Sequence, residues 1–211
     1  MAHNSVPSLR VLHAVRLLGF AESAPVADRA GVSREAAVEI LRGAEQRGWV
    51  RHDAFAGLGG WSLTEEGKAE NERQLADERA DADPDDVIGS VYRDFRPLNA
   101  RLVRACTDWQ LRPTAGDRLA PNDHTDPAWD ARILDELSAL SDALAPLVER
   151  LTSVLTRFAG ADTRFDAALR RARAGQHAWV DRTDVDSCHH VWFQLHEDLL
   201  ATLGLDRRTE Y

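Results

Sequence analysis

Pro25-Val26-Ala27-Asp28-Arg29-Ala30-Gly31-Val32-Ser33, followed by Leu41, then Gly48-Trp49-Val50, then Leu63-Thr64-Glu65-Glu66-Gly67, decides the reading of the N-terminal part of the chain. Gly31 stands between two helical stretches, where the chain must turn through a left-handed conformation that penalises a Cβ. Ser33 is placed to cap the helix that follows by accepting from its unpaired N–H groups. Ala27 is small where two helices cross closely, and Val38, Ile40 and Leu41 supply the buried side of a helix from Arg34 to about Arg47. Upstream, Leu9, Val11, Leu12, Val15, Leu17 and Leu18 form a helical apolar face that ends at Gly19, and a short helix covers Val26 to Ala30. Downstream, Trp49-Val50-Arg51-His52 reads as a strand, Gly57-Leu58-Gly59-Gly60 as a turn and Trp61-Ser62-Leu63 as the returning strand. Thr64 then caps a further helix with acids in its first turn.

Helix, helix-turn-helix, hairpin and helix, in that order and closed by Leu63-Thr64-x-x-Gly67, resemble the winged-helix domain of MarR-type bacterial regulators over roughly residues 8 to 80. The resemblance implies that the third helix enters the major groove of DNA with the hairpin as a wing. Carried over by position, the DNA-reading residues are Ser33, Arg34, Ala37, Arg42 and Arg51, with Glu35 on the same helix. Arginine reads guanine edges or holds phosphate. The hairpin tip, Phe55 to Gly60, has neither arginine nor lysine, and through Gly60 seven arginines face six acids. A winged helix also serves as a protein-binding module, because a fold does not fix its function.

Ala76 to Asp86 is an acidic stretch in which Pro84 stops the preceding helix, so the expected division is a winged helix-turn-helix over 1–80 and a helical bundle over 81–211, for dimerisation or ligand sensing. Val91, Phe95, Leu98, Leu102, Ala105 and Trp109 form one helical stripe, with Pro97 predicting a kink or restart. Ile133, Leu137, Leu140, Leu144, Leu147, Leu151, Val154 and Phe158 form a second, bent at Pro146; such a seam suits a bundle or a dimer interface. A shorter helix runs from Asp162 to Ala174. Cys188, Trp192, Leu195, Leu199 and Thr202 make a last stripe before Gly204. The predicted fold is mainly α.

Two segments mix polar and aromatic residues tightly. One runs from Thr107 to Pro113 and on through Pro121–Asp130; the other from Asp184 to Glu197. Trp109, Arg112, Asp123, His124, His189, Trp192 and His196 are the candidate ligand-binding residues, with Arg112 as a bidentate clamp for an anionic group. Tryptophans at this spacing equally suit a core. Asp108 to Pro113, Pro121 to Pro127 and Val191 to Glu197 are similar to a helical segment that accompanies a phosphotransferase in actinobacterial proteins related to pyruvate, phosphate dikinase. That resemblance implies a sensing or regulatory accessory, since no phosphate cradle, phosphohistidine motif, G-x-S-x-G or H-E-x-x-H is present.

The chain has 211 residues, 44% hydrophobic and 29% charged, with a net charge of −9 and Lys68 as its only lysine. The acidic balance argues against general attraction to nucleic acid but leaves room for a local basic face. No secretory leader or membrane-spanning run is apparent, and Cys106 and Cys188 form no motif, which predicts a cytoplasmic protein with reduced thiols. The expectation is a dimeric transcription regulator that binds operator DNA and answers to a small-molecule effector. No catalytic residue, cofactor or metal is expected. The alternative is a regulatory module that acts on a protein partner.

Overall fold

The computed structural model describes residues 2–55 and 58–206; of the expected hairpin tip, Ala56 and Gly57 lie outside the described residues. The protein is mainly helical, with one two-stranded antiparallel sheet among the described residues. In chain order the elements are α1 (Pro7–Leu18), α2 (Ser23–Ala30), α3 (Arg34–Gln46), β1 (Val50–Phe55), β2 (Leu58–Leu63), α4 (Glu65–Ala82), α5 (Val87–Gln110), α6 (Pro127–Val154), α7 (Ala161–Arg173), α8 (Ala178–Asp181) and α9 (Cys188–Leu203). A 3-10 turn covers Thr156–Phe158. Two compact units divide the described residues: those up to Asp86 with Ser153–Arg157 and those from His196 on, and Val87–Thr152 with Phe158–Leu195. The first part of the acidic stretch, Ala76 to Ala82, continues α4, and two later segments join the first unit.

In the first unit, α1, α2, α3 and the sheet share one apolar core that includes Val11, Val15, Val26, Ala27, Ala30, Ala37, Leu41, Val50 and Trp61. Gly31 sits in the left-handed region (φ 61°) and ends α2, its N–H reaching the carbonyls of Ala27 and Asp28. Ser33 caps α3 by accepting from the Ala36 N–H at 3.2 Å. β1 pairs with β2 in a register that sets Val50 opposite Leu63 and Asp53 opposite Gly60. The glycine cluster expected as a turn is therefore partly strand. Gly60 lacks a side chain because the Phe20 ring lies over it, with an added Cβ only 2.5 Å from Phe20 Cζ. The other edge of Trp61 bonds to Ala21 in both directions, and its indole N–H donates to Ser23 Oγ at 3.0 Å.

The start of α4 is tied to the end of α3. Thr64 N donates to the Trp49 carbonyl at 3.0 Å. Its hydroxyl donates to the Gly48 carbonyl at 2.6 Å and accepts from the Gly67 N–H at 2.9 Å. Gly67 lies so close that a Cβ would fall 1.7 Å from the Trp49 oxygen.

A buried ionic network completes this unit. Arg157 donates to Glu78 at 3.2 Å, to Thr202 Oγ1 at 2.7 Å and to Asp198. His13 lies 3.1 Å from the same Asp198 oxygen and 3.2 Å from Asn71 Oδ1. Burial pushes the Asp198 carboxyl up, but the charges of Arg157, His13 and Arg29 together outweigh it and hold the group well below the usual carboxylate range. Nearer the surface, Arg16 bridges Glu72 at 2.9 Å and Glu197 at 3.0 Å.

In the second unit, buried leucines of α6 at 137, 140, 144, 147 and 151 form the expected seam. α5 and α6 each run continuously through a proline, Pro97 and Pro146, where a break had been one expectation for α5. Trp192 of α9 stacks on Phe95 of α5 with ring centroids 4.9 Å apart and meets Phe165 of α7 at 5.6 Å. Cys106 and Cys188 are buried, which pushes both thiols up to about 12. Among the described residues no helix is long and apolar enough to cross a membrane.

Gly67→Ala is expected to destabilise the protein by roughly 3 kcal/mol or more, since backbone is the clashing group and cannot rotate away. Thr64→Ala, which removes the cap and the hydroxyl's bond to the Gly48 carbonyl but leaves the backbone in place, is expected to cost about 1–2 kcal/mol. Urea unfolding followed by circular dichroism checks the order of the two. Asp198→Ala is expected to cost about 3–5 kcal/mol at pH 7, because Arg157 keeps its buried charge without that partner. The folded Asp198 carboxyl is depressed relative to the unfolded chain, so its stabilisation is present above about pH 4 and is lost as the pH falls towards the folded value. Wild-type unfolding at a series of acid pH values should show that loss, and Asp198→Ala should show a flatter acid limb.

Candidate functional site

α3 carries two opposite faces. Ala37, Leu41 and Ala44 are buried, while Arg34, Glu35, Glu39, Arg42 and Gln46 are exposed. The outward residues, with Val38 and Gly43 between them, line an open concavity of about 690 Å³. Arg34 and Arg42 make no hydrogen bond or ion pair with any described residue. Eight residues separate them, which is ~12 Å along a helix axis. Glu35 folds back onto the helix start, where its own N–H, the Ser33 hydroxyl and the Arg34 charge hold its carboxyl below the usual range. Glu39 stays on the outward face midway between the arginines.

The structure places the expected nucleic-acid residues unevenly. Arg34 and Arg42 face solvent and Ser33 stands at the helix start, its Oγ engaged by the Ala36 N–H. Ala37 has no exposed surface; it packs in the core and offers no side-chain atoms to a partner. Arg51 points from β1 but is paired with Asp53 at 2.8 Å on the same strand and approaches Ser62 Oγ at 3.4 Å. Its charge is therefore largely neutralised locally. Arg47, after the end of α3, lies over the Trp49 ring at 4.4 Å.

Among the expected ligand residues the structure brings Trp109 to His124, and the charge of Arg112 reaches Asp123. The Trp109 and His124 rings are 4.5 Å apart, and His177 contacts both. His124 takes a left-handed backbone (φ 57°), rare for a residue with a side chain. Asn122 and Asp130 hold it there. Asn122 Oδ1 accepts from the His124 N–H at 3.2 Å, and Asp130 Oδ2 lies 2.9 Å from His124 Nδ1. Asn122 Nδ2 also donates to the Trp109 carbonyl and to Asp130.

Arg112 pairs with Asp126, whose other oxygen accepts from the N–H groups of Ala128 and Trp129 at the start of α6. The proposed anion clamp is thus engaged by a helix cap. Asp123 accepts from the N–H and hydroxyl of Thr125, which keeps its carboxyl below the usual range. Trp192 is a core residue whose indole N–H donates to Asn99 at 3.0 Å. His189 is half-buried beside Phe193, and His196 is buried and groups with the first unit. His177 escaped the sequence reading because a lone histidine after Gly175-Gln176 carries no local signal. A cleft between α5 and α6 escaped it too, although Arg101 and Arg104 share a helix face at a spacing of three. Among the described residues no group of three or more histidine, cysteine or acidic side chains is arranged to hold a metal ion.

No protein-family model, no curated protein and no solved structure matches this chain.

Proposed function

We propose that the protein is a DNA-binding transcription regulator of winged-helix type that lays α3 in the major groove of duplex DNA. The observation that carries this reading is the outward face of α3: one side of the helix is packed in the core, and the other presents Arg34 and Arg42, which make no hydrogen bond or ion pair with any described residue. Arg34 stands at the first turn, where helical N–H groups and the macrodipole favour a phosphate. Arg42 lies ~12 Å further along, on the scale of the major groove, where a guanidinium takes guanine bidentately. Glu39 between them repels phosphate but accepts from the cytosine amino group. Such a face has little general affinity for DNA, in keeping with a net charge of −9, and depends on base sequence. In this reading the protein acts as a homodimer, with two α3 helices about 34 Å apart on successive grooves, and the helical second unit takes the effector.

A second reading is favoured by the pairing of Arg51 with Asp53 and by the two arginines and two glutamates that share the concave outward face of α3. In it the same face holds a protein partner, such as a phosphotransferase-type enzyme, and no DNA.

Fragments of the source genome selected on the immobilised protein, then titrated by fluorescence anisotropy over a salt series, separate the two. The regulator reading predicts enriched sequences bound with steep salt dependence. It also predicts that Arg34→Ala and Arg42→Ala each weaken binding about tenfold, the loss of one good bidentate or phosphate contact. Unchanged affinity in both variants removes α3 from the proposal. No enrichment over random DNA at low salt favours the protein partner.

A further inference from the structure

Between α5 and α6 the second unit holds a cleft of about 650 Å³, lined by Pro97, Ala100, Arg101, Arg104, Ala105, Asp108, Arg132, Ile133 and Glu136. Sites for small organic molecules occupy about 300–1,000 Å³ and combine apolar walls with a few placed polar groups. Here the apolar part comes from Pro97, Ala100, Ala105 and Ile133, whose short or buried side chains leave the space open. The polar part is three arginines against two carboxylates, a surplus of one positive charge.

The arginines differ in what holds them. Arg101 donates through Nε to Glu136 at 2.7 Å, and that contact, opposed by burial of the carboxylate and aided by the charges of Arg101 and Arg104, keeps Glu136 ionised below its usual range. The remaining N–H groups of the Arg101 guanidinium are not used by this bond. Arg132 stacks over Trp129 at 4.4 Å and lies 3.5 Å from Asp108. Arg104 makes no hydrogen bond or ion pair with any described residue, although its charge reaches Glu136. Two guanidinium groups are thus oriented by carboxylates, and the third, Arg104, makes no ion pair with a described residue. Half-exposed ion pairs of this kind contribute little to stability, so an incoming acid can exchange for them without loosening the helices.

We propose that this cleft between α5 and α6 binds a small organic anion, an acid group carried on an apolar body, with Arg104 as its principal contact, Arg101 and Arg132 beside it, and the Pro97–Ala100–Ile133 wall against the body. The site does not depend on α3 binding DNA, and either reading can fail without the other.

The test uses the full-length protein and two probes of similar shape: 1-anilinonaphthalene-8-sulfonate, which carries a sulfonate, and N-phenyl-1-naphthylamine, which carries no charge. The sulfonate should bind saturably, one per chain, and the neutral probe at least about tenfold more weakly, because a charge-assisted contact is lost. Arg104→Ala and Arg104→Gln should each weaken the sulfonate about tenfold while the thermal midpoint stays unchanged. Glu136→Gln should tighten it several-fold, since it releases Arg101 and raises the local charge; a purely structural ion pair gives no such gain. Absence of saturable sulfonate binding, equal affinity for the neutral probe, or Arg104 variants within twofold of wild type overturns the proposal.

Discussion

The carbonyl of Trp49 is the point on which the first unit turns. It accepts from the Thr64 N–H and hydroxyl, and it lies against the bare Cα of Gly67. Trp49 N in turn donates to the Ala44 carbonyl at the end of α3. The close of one helix, the first residue before the sheet and the opening turn of the next helix are fastened within a few ångströms. A side chain at residue 67 would force them apart. With that junction fixed, α3 has its buried side set by Ala37, Leu41 and Ala44, and its remaining side is left to solvent. The outward face used in the functional reading is therefore a consequence of packing at a glycine more than twenty residues away.

The buried ionic network acts on the same unit from a different direction. Charges removed from water cost several kcal/mol each unless they are well paired. Arg157 offsets this by serving Glu78, Asp198 and Thr202 at once, and His13 shares Asp198. These groups come from α1, α4, the 3-10 turn and α9. Such a network contributes less to raw stability than hydrophobic packing of the same volume would, while removing one partner leaves the remaining buried charge less well compensated. Segments far apart in the chain are thereby joined within the first unit.

What could be read in the sequence was local. Gly31, Ser33 and Thr64 announce a turn and two caps within three or four residues, and the structure has each of them. The seam of α6 from Ile133 to Leu151 is likewise a matter of spacing. Glycine signals a turn, whereas Gly59 and Gly60 stay in β2; the Phe20 ring, forty residues upstream, explains the missing side chain at Gly60. The end of α4 was local too: the helix closes at Ala82, two residues before Pro84. Of the candidate ligand residues, Trp109 and His124 are neighbours, but the clamp assigned to Arg112 is taken by Asp126, a partner fourteen residues on that spacing alone does not reveal. Trp192 illustrates the ordinary fate of a large aromatic ring, which is burial against others.

The central claim is that the outward face of α3 is where this protein meets its partner, and that the partner is duplex DNA. Amide chemical shifts in a nitrogen-15 spectrum, followed while DNA enriched from the source genome is added, test it most directly. The account predicts saturable shifts concentrated between Ser33 and Gln46, with smaller ones along β1 and β2, that disappear as salt is raised. Shifts confined to other parts of the chain, with α3 unmoved at saturation, would contradict it.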